Sequence, residues 1–190
     1  MNKPDYIRNI KNIDVSLYQS LLKNKNFNFE GKFNKKYNRD INFKNCTSCS
    51  IVERLFIKNV RLHNSFLNIS QDLLLTLFEY FGPGKISNLQ IANLLNGGEI
   101  LSHSDEGLFF AFSHRIHIPV QTNDQVIFSI EDKKFNFKEG EVVEINNLRN
   151  HSVVNNNTEY HERIHIILDY MPIEYINFLV EPETKKFLYQ

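Results

Sequence analysis

Apolar and polar positions follow two different periods along this chain. From Ser70 to Phe81 the sequence SQDLLLTLFEYF repeats at helical spacing, with an apolar face through Leu73, Leu74, Leu77, Phe78 and Phe81. Ser70 stands at the N-cap position, Asp72 complements the positive end of the helix in the first turn, and Gly82-Pro83-Gly84 ends the element. A shorter helix is expected over residues 14–24, and residues 28–45 and 50–62 read as mixed and partly extended. Beyond Gly84 the period shortens to two. Ile100–Ser104, Arg115–Gln121, Gln125–Ile130, Lys134–Phe137, Glu141–Ile145, Ser152–Asn155 and Arg163–Asp169 are the candidate strands. Asn-, Asp- and Gly-rich turns at 122–124, 131–132, 139–140, 146–147 and 155–157 separate them. Short strands punctuated this densely predict an antiparallel sandwich or barrel, with helices of the amino-terminal part packed on it.

Two of these strands have an unusual face. Arg115 and His117 alternate with Ile116 and Ile118, and Arg163, His165, Ile167 and Asp169 alternate with Ile164, Ile166 and Leu168. In a jelly-roll barrel the polar faces would line a ligand cavity, while the aliphatic faces would pack against helices such as Ser70–Phe81.

Composition narrows the class. With 190 residues, 42% hydrophobic and 23% charged, the chain suits one domain with a substantial core: a packing layer over 1–84, a β core over 85–171 and an extension over 172–190. Lys plus Arg equals Asp plus Glu at 22 each, so no overall field favours nucleic acid or an anionic membrane. Basic residues crowd the amino-terminal third (Lys23, Lys25, Lys32, Lys35, Lys36, Arg39, Lys44), and we read them as solvated surface. There is no run of 18 apolar residues, and Met1–Ile10 lacks the hydrophobic stretch of a secretory signal, so a soluble cytoplasmic protein is expected. Cys46 and Cys49 form a single C-x-x-C with no second pair, which reads as reduced thiols.

The candidate chemistry lies in His103-Ser104-Asp105, followed by His151 and Arg163. Two imidazoles and one carboxylate can occupy one face of Fe(II) and leave the remaining positions open for cosubstrate and O2. On a strand running through 100–105, alternation sends His103 and Asp105 to the same face. In a closed antiparallel barrel His151, 46 residues after Asp105, can lie on the neighbouring strand. Arg163 offers the planar fork of donors that matches a carboxylate.

The stretch GGEILSHSD at 97–105, RIHIPV at 115–120, GEVVEINN at 140–147, HSVVN at 151–155 and RIHIILD at 163–169 together resemble the aspartyl/asparaginyl β-hydroxylase family of 2-oxoglutarate oxygenases, with its proline and free-amino-acid hydroxylase relatives. The resemblance spans residues 88–171. It implies a double-stranded β-helix, a cupin-like jelly roll, with His103, Asp105 and His151 as iron ligands and Arg163 on the distal carboxylate of 2-oxoglutarate. Arg115 and His117 match positions near the cosubstrate's other end. It also implies Fe(II), 2-oxoglutarate and O2 as reactants, ascorbate as reductant in vitro, and succinate and CO2 as by-products. Two departures stand out. Asp105 is present where the vertebrate peptidyl enzymes lack an acidic ligand, which favours the small-molecule branch, and a family serine that helps hold 2-oxoglutarate falls near Ala92-Asn93. The expected substrate is therefore a free amino acid or a derivative. A peptidyl Asp or Asn and a lipid acyl chain are the alternatives, and a cupin-like metal-binding protein without oxygen chemistry is the reading of another class. His165, on the face of Arg163, is expected to hydrogen-bond within the core.

Overall fold

Where each strand face goes is answered by a computed structural model, which describes residues 1–23, 43–52, 70–159 and 161–179. Within them the strands are β1 (Ile7–Asn12), β2 (Phe43–Val52), β3 (Gly84–His103), β4 (His114–Gln121), β5 (Val126–Ile130), β6 (Lys133–Phe135), β7 (Glu141–Ile145), β8 (His151–Asn155) and β9 (Arg163–Pro172). The helices are α1 (Ser16–Lys23), α2 (Ser70–Phe81), α3 (Leu108–Ala111) and α4 (Ile173–Leu179). All strand pairings are antiparallel, in the order β1-β7-β4-β9-β3-β8-β5-β6, with β2 added along β3.

β3 holds the two halves of this sheet together. Leu94 pairs with Cys46 of β2 on one edge and Arg163 of β9 on the other, whereas Ile100 pairs with Phe43 of β2 and Val153 of β8. One edge of β3 therefore belongs to β9 along its first half and to β8 along its second. Between these halves Gly97 has φ +64°, a left-handed conformation that a side chain makes costly, so glycine is what lets the strand turn from one layer into the other. The sheet curls until β5 faces β4: the Phe128 and His117 rings lie 5.4 Å apart, although three strands separate theirs in the hydrogen-bonded order. This is the jelly roll expected from the sequence.

The outer aliphatic face carries Ile116, Ile118 and Val120 of β4, Ile164, Ile166, Leu168 and Tyr170 of β9, and Leu89 and Ile91 of β3. It packs on Val15, on Tyr18 of α1 and on Leu73 and Leu77 of α2. Each such side chain taken fully out of water contributes roughly 1.5–3 kcal/mol. The inner apolar cluster joins Leu94, Ile100, Phe128, Phe137, Val143, Ile145 and Val153 between the layers.

Several expectations are corrected. α2 packs through Leu73, Thr76, Leu77 and half-buried Phe81, and Leu74 (40%) and Phe78 (50%) are exposed, because only this narrow stripe, spaced by three and four residues, meets the sheet. β3 is 20 residues long and starts at Gly84, well before Ile100. Only its middle, Ile91–Leu94, is buried on both faces and so shows no alternation, and its Asn and Gly residues imitate turns. It stops at His103, which leaves Ser104 and Asp105 beyond the strand. The amino-terminal layer also supplies β1 and β2 to the sheet. Of the stretches 28–45 and 50–62 only 43–45 and 50–52 fall within the described residues, and both belong to the strand Phe43–Val52. No described helix is long and apolar enough to cross a membrane.

Candidate active site

The end of β3 and the start of β8 meet at the predicted triad. His103 is the cross-strand partner of His151, and their rings lie 4.4 Å apart. Asp105 completes the group: one ligand atom from each of the three residues lies within 4.8 Å of the others. This is close enough for a single metal ion. Each imidazole is oriented by a backbone carbonyl, Leu101 O at 2.8 Å from Nδ1 of His103 and Arg149 O at 2.9 Å from Nδ1 of His151. A carbonyl can only accept, so each Nδ1 carries the hydrogen and each Nε2 keeps its lone pair for a metal. Burial lowers the His151 pKa, which keeps the ring in the neutral form that ligates.

Asp105 is placed by a loop rather than by strand alternation. Its N–H donates to Asn147 O at 2.9 Å, and Asn147 Nδ2 donates to its Oδ2 at 3.0 Å. Arg115 Nη2 lies 3.4 Å from the same oxygen. Burial raises the Asp105 carboxyl, but Arg115, Asn147 and the two histidines outweigh it and hold the group below the usual carboxylate range. Arg115 is anchored in turn on Asp169, Nε to Oδ1 at 2.6 Å and Nη2 to Oδ2 at 3.2 Å, and Asn88 Nδ2 donates to Asp169 Oδ2 at 3.1 Å. On the other side Lys3 Nζ donates to Asn147 Oδ1 at 2.8 Å and to Ser113 O at 2.5 Å. Lysine only donates and the Asp105 carboxylate only accepts, so the Asn147 amide can sit between them one way round. Sequence reasoning missed Lys3, Asn147 and Asp169, and only Asp169, sharing a strand face with Arg163, had left a trace.

From the triad a line of rings leads into the barrel. The His151 ring lies 6.2 Å from Phe128, Phe128 5.4 Å from His117, and His117 5.8 Å from His165. Arg163 Nη2 ends the line at 2.7 Å from His165 Nδ1. Arg163 is fully buried, and its Nε and Nη1 have no hydrogen-bond partner among the described residues. Burial drives its pKa down to about 10, and no carboxylate among the described residues pairs with it. His117 Nδ1 and His165 Nε2 are buried and unpartnered as well. Burial and the Arg163 charge push both rings well below the ordinary histidine range, so they are neutral. Cys46 lies close enough to feel Arg163, yet burial pushes its thiol up to about 11, so it stays protonated. Ala92, where the family serine was expected, pairs with His165. The predicted residues thus fall into two connected groups, the triad with Arg115 at the mouth and Arg163 with His117 in the interior.

Comparison with known proteins agrees with this fold. The family model for aspartyl/asparaginyl beta-hydroxylase matches residues 69–172. No curated protein sequence matches the chain. Among solved structures, AviO1 from Streptomyces viridochromogenes Tue57 superposes with a TM-score of 0.61 at 11% identity, over 95% of this chain and 93% of that one. The viral collagen prolyl hydroxylase of Paramecium Bursaria Chlorella virus-1, solved with 2-oxoglutarate, gives 0.53 at 9% identity over 89% and 97%. A 2OG-Fe(II) oxygenase family oxidoreductase from Burkholderia pseudomallei gives 0.52 at 19% identity over 66% and 67%. At these identities the structural likenesses establish the fold, and the family model, which covers more than half of the residues, establishes the kinship: the chain belongs to the aspartyl/asparaginyl β-hydroxylase family of 2-oxoglutarate-dependent oxygenases.

Proposed function

We propose that the chain hydroxylates an amino-acid-like small molecule, a free amino acid or a derivative, using Fe(II), 2-oxoglutarate and O2. The observation that carries this reading is Arg163. A guanidinium with no exposed surface and two nitrogens unpartnered among the described residues is costly unless an anion meets it, and the fork suits a carboxylate. The triad fits the metal, since two imidazoles with Nδ1 turned to backbone carbonyls and a carboxylate held ionised form a facial donor set for Fe(II). Together with O2, iron and 2-oxoglutarate supply the oxidising power, releasing succinate and CO2 and leaving a hydroxyl on a substrate carbon.

The chain's own residues do the rest. His103, Asp105 and His151 hold the metal, and Arg115 and Asn147 keep the Asp105 oxygens aimed. Arg163 fixes the far end of the cosubstrate, with His117 in the wall between. The buried rings of Phe128 and Phe137 keep that wall dry, which strengthens each polar contact inside it. An acyl-chain substrate stays as a second reading for one reason: Leu101, Leu108 and Leu148, each within three residues of a triad member along the chain, are 39%, 63% and 41% exposed.

Succinate release is the test. Anaerobically purified protein given Fe(II), ascorbate, 2-oxoglutarate and air should form succinate, faster with the right member of an amino-acid panel, and Asp105→Ala should abolish it. Stimulation by fatty acyl compounds alone would move the substrate to the second reading. Metal binding with no affinity for 2-oxoglutarate, unchanged by Arg163→Ala, would assign the protein to the cupins that lack oxygen chemistry.

A further inference from the structure

His165 lies beside the predicted site residues but was assigned no part in the chemistry. Its neighbours across both edges of β9 are Ala92 of β3 and Pro119 of β4, neither of which has a side-chain polar group to offer it. It is 1% exposed. Its Nδ1 lies 2.7 Å from Arg163 Nη2, and a guanidinium only donates, so Nδ1 is the acceptor and the ring's hydrogen sits on Nε2. That Nε2–H is a buried donor with no partner among the described residues. Arg163, two residues away on the same strand face, has two more such donors in Nε and Nη1. Two adjacent side chains therefore present three unanswered donors and no acceptor, a set that an anion with two or more oxygens would complete.

We propose that His165 is the second anion-binding residue of the interior site: Nδ1 holds the Arg163 fork in place, and Nε2–H donates to the same carboxylate of the cosubstrate. This rests on the 2-oxoglutarate reading above. The two halves of the role are separable by side-chain shape. In His165→Asn a carbonyl oxygen can take the place of Nδ1 and hold Arg163, with nothing at Nε2. In His165→Gln an amide reaches the Nε2 position but leaves Nδ1 empty, and His165→Leu removes both.

Calorimetric titration of the Mn(II)-loaded protein under nitrogen tests the proposal without turnover. The titrants are 2-oxoglutarate and 2-oxobutanoate, a shorter 2-oxo acid without the distal carboxylate. We expect His165→Leu to weaken 2-oxoglutarate binding about tenfold to a hundredfold, as loss of hydrogen bonds to a charged group does. Asn and Gln should each lose part of that, with 2-oxobutanoate and Mn(II) affinities unchanged in all three. Wild-type affinity for 2-oxoglutarate in the Asn and Leu variants overturns the proposal, and so does equal weakening of both acids, which marks a packing role. Should Leu not fold, Asn alone decides, because it keeps the contact to Arg163. If the wild type binds Mn(II) but not 2-oxoglutarate, the functional reading itself falls. If Arg163→Ala abolishes binding and the His165 variants do not, only the part given to His165 falls.

Discussion

Arg115 carries more of the site's geometry than its position in the sequence announced. Besides the cosubstrate role expected of it, its Nε and Nη2 grip Asp169 and Nη2 also reaches Asp105, so it braces the acidic member of the triad. Asp169 is fully buried, and burial raises its carboxyl even with Arg115 beside it. Removing the cation strands that carboxylate. Arg115→Met should destabilise the protein by about 3–5 kcal/mol in urea unfolding, and Asp169→Asn added to it should recover part of the loss. A loss under about 1 kcal/mol would show that the pair contributes little. At this scale the sequence was most legible where chemistry depends on few residue types. His-x-Asp, a later His and an Arg on a two-faced strand identified the triad and the interior cation. Lys3 and Asn147 were not legible, because a lysine near an end and an asparagine in a turn look the same whether they solvate a surface or aim a carboxylate.

At the scale of elements, alternation located the strands of the second half to within a residue or two at most ends, since each had one aliphatic and one mixed face. It failed on the first half of β3, where Asn and Ser break up the apolar positions and Ile91–Leu94 is covered on both faces, and on β1, whose IRNIKN has no clean period. Yet β1 and the residues before it support the site. Tyr6 O accepts from Asn146 N at 2.8 Å, Pro4 O from Asn146 Nδ2 at 2.9 Å, and Lys3 fixes Asn147, so this segment straps the loop that positions Asp105. Lys3→Ala should therefore weaken Mn(II) binding about tenfold in an equilibrium titration, the usual effect of losing an outer support of a metal ligand, with little change in far-UV circular dichroism. Unchanged affinity would reduce the strap to packing. At the bend of β3, Gly97→Ala should cost about 1–2 kcal/mol of unfolding free energy for its positive φ, although no atom lies within 4 Å of the added carbon. A cost near zero would mean that the backbone relaxes freely there.

For the molecule as a whole, three histidines are held neutral inside the barrel. His117, His151 and His165 all have lowered pKa values, with burial as the largest cause. Their folded pKa values lie below the 6.5 of an unfolded chain, so the unfolded state binds more protons as acid is added. Stability is complete above pH 6.5 and declines as pH falls below it, by up to about 1.4 kcal/mol per pH unit for each histidine. Urea unfolding at pH 5, 6, 7 and 8 should show a plateau at the upper two values and a steep fall below. A flat profile would mean that these rings are protonated in the folded protein.

The shared strand and the strap also set an order in time. Ile7 pairs with Ile145, and His103 meets His151 only once β8 exists, so the triad stays incomplete until a strand far along the chain joins the neighbouring His103 and Asp105. Contacts this distant make closure slow. On a translating ribosome β1 would wait on the order of ten seconds for β7 to emerge. Until then its unpaired edge and the unclosed barrel are exposed to other chains, and iron has no complete cage to enter. A metal held by the triad would thus load late in folding, and free divalent metal should protect the finished fold by mass action without hastening its formation.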